Sequence, residues 1–412
     1  MRISTSMIYE SGVARISDLQ AAALKTQQQI STGHRVLTPA DDPIAAARAL
    51  EVTQDQSINT QLTTNRKNAN DSLSLEESVL QNVTGMYQDV KTLIVNAGNG
   101  TVSDSERTSM ATALSGQLDE LMGLANSQDG SGNYIFSGYQ LASPPFVTGA
   151  GGVTYNGDQG QRMLQVSPSQ QMATGDTGDQ LFQSIKNGNG SFITAAQSTV
   201  TAGGVVLPLN TGSGVISAGT VTNPVALTGH NYEVDFAVAG GVTTYSVVDT
   251  TSSTTLSSAN PYTPGQTIAV AGMQFDISGA PADTDKFTVQ PSANQSVFTI
   301  INNLINTLKA PATGATGQAN LTNGLNAANT GIDRALDNVL TIRASIGSRM
   351  NELDALDTLG TSRDFQFTST LGDLQDVDYA QAISTLNAEQ TTLQAAQKSF
   401  VQVTSLSLFS LL

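Results

Sequence analysis

The chain has 412 residues, 18 basic against 34 acidic, a formal net charge of -16 and no cysteine or tryptophan. That balance excludes the clustered cations a nucleic-acid surface needs and gives no attraction to an anionic membrane. The missing cysteine excludes a disulfide framework, a thiolate nucleophile and a Cys-ligated metal.

Charged residues are only 13% of the chain, about half the usual share; Ser, Thr, Asn, Gln, Gly and Ala fill the gap. The N-terminus, MRISTSMIYESGVARI, has neither the apolar core nor the cleavage site of a secretory signal peptide. No apolar run approaches the roughly 18 residues a spanning helix needs, so the chain reads as soluble, without membrane insertion.

The first predicted element is a terminal helix over about residues 5–30, in which Ile16, Ala23 and Ile30 lie seven apart with Leu19 between them. Ser31 to Pro39 has two breakers and no periodicity, which predicts an extended connector. Asp41-Asp42-Pro43 then places an acidic cap before a proline, which costs nothing at a first helical turn. A helix follows to about Ala97, where Asn96-Ala97-Gly98-Asn99-Gly100 ends it. Its apolar positions Leu73, Leu80, Tyr87 and Ile94, interleaved with Val83, Val90 and Ala97, form a narrow seam that must bury against another helix. Glu76 stands where that seam should be apolar. Leu114, Leu118, Leu121 and Ala125 line a shorter helix.

From about Gly138 to Pro291 the pattern changes to alternation. Tyr232, Val234, Phe236 and Val238 alternate with polar or small residues, Gly240-Gly241 follows, and a second run contains Tyr245 and Val247; this predicts a β-hairpin. Met273, Phe275 and Ile277 alternate in the same way, and Val153-Thr154-Tyr155 precedes the turn dipeptide Asn156-Gly157. Ser/Thr-rich stretches such as Thr250 to Asn260 read as exposed loops. Of the basic residues, only Arg162, Lys186 and Lys286 fall between Asp129 and Ser292.

Helical spacing then resumes. Val297, Ile301, Leu304 and Leu308 line a short helix. Leu325, Ile332, Val339, Ile346 and Leu353 form a second long seam, interleaved with Leu321, Ala328, Ala335, Ile342 and Leu356 and broken by Arg349. Two such seams suit each other as partners in a bundle of about four segments. The last segment carries Ile383, Leu386, Leu393, Phe400 and Val403, interrupted by Gln390, and stays apolar through Ser405 to Leu412.

The expected fold class is α+β: a long antiparallel helical bundle or coiled coil formed by both chain ends, with an inserted β-rich domain. The expected divisions are a terminal assembly segment (1–42 with 371–412), a helical bundle (43–137 with 293–370) and an outward-facing β-rich domain (138–292). An intramolecular core explains the bundle seams. The terminal helices have little to bury against in their own chain, short helices are marginal alone, and an exposed apolar terminus marks a partner surface. The candidate assembly residues are therefore Ile16, Leu19, Ala23, Ile30, Ile383, Leu386, Leu393, Phe400, Val403, Leu406 and Phe409, which would order as copies pack.

Nothing points to catalysis. The two histidines, His34 on the connector and His230 at a strand entrance, lie far apart in sequence. There is no His-Glu-x-x-His, phosphate-binding glycine loop or Gly-x-Ser-x-Gly. Asp276, Asp283 and Asp285 do not match a calcium loop and read as solvated. No cofactor or metal is expected, and the chain reads as a non-enzyme.

The run Ile30-Ser31-Thr32-Gly33-His34-Arg35, followed by Ala40-Asp41-Asp42-Pro43, resembles the N-terminal signature of the flagellin superfamily, and Ile346-Gly347-Ser348-Arg349-Met350-Asn351-Glu352-Leu353 resembles its C-terminal counterpart. Asn133-Tyr134-Ile135-Phe136-Ser137-Gly138, then Pro144-Pro145-Phe146 and Tyr155-Asn156-Gly157-Asp158-Gln159-Gly160-Gln161, is similar to the hook–filament junction branch of that superfamily. The ending Ser405 to Leu412 suits hook-associated proteins as well. The resemblance covers both ends and reaches about Phe182; residues 187–291 resemble nothing nameable.

It implies a structural subunit exported through the flagellar type III apparatus and located outside the cell at the hook–filament junction. Its implied partners are hook-associated protein 1, flagellin, further copies of itself in a ring, and an export chaperone on the C-terminal helix. A flagellin-type filament subunit and an adhesive surface protein acting through the β module are the alternatives.

Overall fold

A seven-residue apolar repeat buries a narrow stripe and needs a second stripe of the same period beside it. In the computed structural model, which describes residues 5–149, 152–200 and 206–409, that second stripe comes from the far end of the chain. Helices α1 (Thr5–Thr32), α2 (Pro43–Ala97) and α3 (Asp104–Ala125) precede a β-rich region; α4 (Val297–Lys309), α5 (Gly314–Gln375) and α6 (Tyr379–Phe409) follow it. This is the α+β architecture that the spacing predicts. Asp42 caps α2 as expected, its Oδ1 accepting the Ala45 N–H at 3.0 Å. Ser103 and Glu106 form a capping box at the start of α3, which satisfies two otherwise orphaned N–H groups. Among the described residues, no helix is long and apolar enough to cross a membrane.

The chain divides into two compact units, residues 1–65 with 354–412, and residues 66–353. In the larger unit α2 and α5 run antiparallel, tied by Arg343–Glu77 at 2.6 Å and Lys91–Asp333 at 2.5 Å. Between them the two seams close. Leu73, Leu80, Val83, Tyr87 and Val90 of α2 and Ile332, Ala335, Val339 and Ile346 of α5 are all 0% exposed. Each large apolar side chain buried in this way contributes about 1.5–3 kcal/mol. Phe298, Ile301, Leu304 and Leu308 of α4 and Leu114 and Leu121 of α3 complete the core. Helix α4 comes in close because α5 has a glycine opposite it: a Cβ on Gly331 would meet Ile300 at 3.0 Å. Tyr87 carries its hydroxyl into this core without a hydrogen-bond partner, and burial pushes its pKa up.

The same unit holds the strands. β1 (Phe146–Gly149) pairs β2 (Gly152–Tyr155), β3 (Met163–Ser167) pairs β4 (Gln170–Ala173), and β5 (Ile185–Lys186), β6 (Phe192–Ala196), β7 (Ser198–Val200), β8 (Val206–Pro208), β9 (Val215–Ile216) and β10 (Thr220–Val221) follow. Next come β11 (Tyr232–Ala239), β12 (Val242–Asp249), β13 (Thr254–Pro261), β14 (Thr267–Val270), β15 (Met273–Ser278), β16 (Lys286–Pro291) and β17 (Asn294–Gln295). A five-stranded antiparallel sheet runs β13-β12-β11-β16-β6, and β15 pairs with β14, β10 and β9 in a second. Phe192, Val234, Phe236, Phe287 and Val289 of the first sheet pack with Ile216, Ile268, Met273, Phe275 and Ile277 of the second in one core. The predicted hairpin is β11–β12. Gly240 and Gly241 turn it at φ +59° and +82°, the left-handed pair that a two-residue turn of this kind demands.

Two expectations for this region are overturned. Thr250 to Asn260 is not wholly loop: β13 pairs there with β12 through register shifts. It lies at the sheet edge and buries neither face, so no apolar alternation marks it. Asp285 is not solvated. It is 2% exposed and accepts N–H groups from Thr211, Gly212 and Ala282 at 2.8–2.9 Å, pinning a loop as a buried anion can when it is fully hydrogen-bonded.

Side chains on α5 grip the strand region by its main chain. Thr316 donates to Thr211 O at 2.6 Å. Asn323 donates to Gly214 O at 3.0 Å and accepts from Ile216 N at 3.1 Å. Arg334 donates to Asn189 O, and Asn338 to Leu181 O at 3.1 Å.

Candidate assembly surface

The smaller unit contains the paired ends of the chain. Its corner is built by the connector. Helix α1 stops at Gly33, which adopts φ +75°, a conformation that costs glycine little. Gly33 O accepts Val377 N–H at 2.9 Å and Gln375 O accepts Arg35 N–H at 2.6 Å, so the two turns, α1 to α2 and α5 to α6, bridge each other. The Arg35 guanidinium donates to Leu374 O at 3.0 Å, satisfying a carbonyl at the C-terminal end of α5, and pairs with Asp42 at 3.3 Å. Lys25 reaches Asp41 at 2.6 Å. That contact, with the Thr38 N–H, holds the Asp41 carboxyl down at about 2. His34 faces Asp376, 3.6 Å away. The Ile30–Pro43 motif is thus a folding corner.

From this corner α1 and α6 run antiparallel. Ile16, Leu19, Ala23 and Ile30 are half-buried, with Thr26 between them buried. On α6 the matching line is Ala382, Leu386, Glu389, Leu393, Ala396 and Phe400, of which only Ala382 is buried. Ile16, Leu19, Ala23, Ile30, Leu386, Leu393 and Phe400 are therefore brought to one seam. Ile383 and Val403 stand off it, each 49% exposed, and the polar residue within the line is Glu389 rather than Gln390. Leu406 and Phe409 continue α6, but their side chains lie outside the described residues, as do residues 410–412. One participant gave no hydrophobic signal. Gly12 lies against Phe400 so closely that a Cβ there would sit 2.5 Å from the ring, and Tyr9 meets the same ring at a centroid distance of 5.3 Å.

Apolar side chains also stand among the polar ones on the outer faces of the pair. Met7, Tyr9, Val13 and Leu24 of α1 and Tyr379, Ile383, Val401 and Val403 of α6 are all exposed.

The second motif region, in the larger unit, is also a lock. The Tyr155 hydroxyl lies 2.9 Å from Phe136 O and 2.8 Å from Asp158 O. Asp158 accepts the N–H groups of Tyr139 and Gly160. Phe136, Phe146, Tyr155, Phe182 and Phe298 form a chain of ring contacts at centroid distances of 5.1–5.7 Å. A cavity of about 370 Å³ lies between β6 and helices α4 and α5; it is lined by Asn303, Asn306, Asn320, Asn323 and small aliphatic residues and has no ionisable side chain.

Comparison with known proteins matches both ends of the chain. The family model of the bacterial flagellin N-terminal helical region matches residues 3–141, and that of the C-terminal helical region matches residues 330–412. The flagellar hook-associated protein 3 of Escherichia coli is 33% identical over 100% of this chain and 99% of its own length. That of Salmonella typhimurium is 32% identical over the same shares. A crystal structure titled as the flagellar junction protein FlgL from Legionella pneumophila superimposes with a TM-score of 0.70 at 30% identity, covering 80% of this chain and 100% of that one.

Proposed function

The chain belongs to the flagellar hook-associated protein 3 family, and from that membership we infer that it is a structural subunit of the bacterial flagellum, joining hook to filament. The similarity runs the full length of the chain, including the strand region that lies between the flagellin-type helical matches. That favours the junction subunit over a flagellin-type filament subunit.

We further propose how it does this. Hook-associated protein 1 would bind on one side and flagellin on the other, with identical copies of this chain forming a ring between them. Residues 1–42 and 371–412 would supply the assembly segment, 43–137 and 293–370 the lateral and axial contacts, and 138–292 an outward-facing module. The α1–α6 pair supports this reading: its seam is half-closed and apolar side chains such as Met7, Val13, Ile383 and Val401 are exposed on it, so further helices would complete its burial. The chain would leave the cell unfolded through the flagellar type III apparatus, its C-terminal helix held by an export chaperone, and act outside the cell.

Immunogold electron microscopy of flagella, with antibody against this chain, tests the reading. A single band of gold where hook meets filament is the expected result. Label along the whole filament would make it a filament subunit, and no label on flagella would overturn both.

A further inference from the structure

The two residues that interrupt the long seams converge on one residue, Asp176. Glu76 occupies a seam position of α2 and Arg349 one of α5, and the segment that follows β4 lies over both. Glu76 Oε1 accepts the Asp176 N–H at 3.1 Å. Arg349 donates to Ala173 O at 3.1 Å and to the Asp176 carboxylate. Gln161 donates to the other Asp176 oxygen at 3.1 Å. Glu76 is 2% exposed and Asp176 8%, so two carboxyl groups share one dry site.

The cations there are unevenly shared. Arg349 is committed to Asp176 and Ala173 O. Arg162 also faces the site: a Cβ built on Gly175 would lie 3.5 Å from Glu76 Oε2 and 3.9 Å from the Arg162 guanidinium. Glu76 Oε2 is buried and has no hydrogen-bond partner. Burial and a like charge close by both disfavour the carboxylate form of Glu76, which has no cation committed to it. Glu76 is the group that takes the proton.

We propose that Glu76 is a proton-operated latch: as a neutral acid it seats the segment 163–178 on α2 and α5, and as a carboxylate it releases that segment. The released piece follows from the anchoring. Glu76 sits mid-helix in a closed core and cannot leave without opening it. β3 and β4 form an isolated two-stranded ribbon, a structure with little stability of its own. Its other ties to the helices include Arg66 to Val166 O at 3.2 Å and Gln170 to Glu352 at 2.5 Å, and its Val166 and Met172 side chains are buried. Moving the ribbon lets water reach Glu76 and separates it from Asp176.

The direction with pH follows from linkage. Burial, then the Asp176 charge, push the Glu76 pKa from 4.5 up to about 8. Between those values the docked form holds a proton that the free form does not, so docking weakens as pH rises. Its stabilisation is complete below the lower value, is lost through the upper one, and is level beyond it.

Amide hydrogen exchange on the full chain between about pH 6.5 and 9.5 tests the latch, with each rate normalised to the intrinsic base-catalysed rate. Amides of 163–178, that of Asp176 above all, are expected to lose protection through about pH 8, by up to tenfold per pH unit for a single proton, while β11 and β12 stay level. Glu76→Gln keeps an acceptor for the Asp176 N–H and should flatten the profile. Asp176→Asn removes the neighbouring charge and frees Arg349, which should move the midpoint to lower pH. A level wild-type profile, a Glu76→Gln profile that still falls, or a midpoint unmoved in Asp176→Asn would each overturn the proposal.

Discussion

Two helix pairs in this molecule carry the same seven-residue repeat and close to different degrees. Where α2 and α5 pass through the larger unit, the seam is sealed, because α3, α4 and the strand region cover its flanks. Along α1 and α6 the same spacing leaves most seam residues half-exposed, with Thr26 and Ala382 the buried ones among the described residues. A heptad stripe specifies that a partner exists, but not how many. Two helices shield one stripe each; a dry core takes a third and a fourth body.

Substitutions in the two seams should separate accordingly, and the largest effect is on assembly. Phe400→Asp puts a charge on the open seam against Gly12 and Tyr9. It should abolish incorporation into flagella, read by fractionation of sheared filaments, while the melting of the larger unit stays put. A large fall in that melting temperature would erase the distinction between the two pairs. Next in size, Leu80→Ala in the sealed seam should cost about 3 kcal/mol in chemical denaturation, whereas Leu393→Ala in the open seam should cost under about 1 kcal/mol in the isolated chain. Equal losses would mean that α1 and α6 are as well buried as α2 and α5.

Two smaller changes sharpen the contrast. Alanine stabilises an exposed helix by up to about 1 kcal/mol relative to glycine. Gly85→Ala on α2, with nothing within 4 Å of the new methyl, should gain most of that in thermal unfolding. Gly12→Ala should gain nothing, because the methyl displaces the Phe400 ring. The smallest expected change is Tyr87→Phe, which removes a buried hydroxyl that bonds to nothing. It should raise stability by up to about 1 kcal/mol; a loss of that size would show that water reaches the hydroxyl.

Much of the helical frame was legible because helix signals are local. Asp42 and Pro43 open α2 and Gly98 follows its last residue, as capping and termination rules require. The β11–β12 hairpin was equally plain, since Gly240-Gly241 flanked by alternation has few other readings. What stayed hidden depends on long-range partners. β13 is strand only because β12 offers it an edge, and its Thr and Ser side chains satisfy either state. Asp285 looks like any turn acid until two distant N–H groups, those of Thr211 and Gly212, join that of Ala282 on it. Ile383 and Val403 fit a heptad on paper but fall off the line actually drawn through Ala382 and Leu386, where one residue of register decides. Glu76 and Arg349 read separately as two flaws; their opposite charges at seam positions of the two matching helices were the one hint that the flaws were a pair.

The grip of α5 on the strand region has a consequence for design. Thr316, Asn323, Arg334 and Asn338 take hold of peptide groups at Thr211, Gly214, Ile216, Asn189 and Leu181. A peptide group is the same whatever side chain it bears. The grip therefore follows the backbone path alone; Leu181 and Ile216 are fixed separately by their burial, and Gly214 because a Cβ there would lie 2.6 Å from the Phe287 ring. A foreign epitope spliced into the β11–β12 tip, away from all five, would ride on a mount that never reads its cargo's sequence.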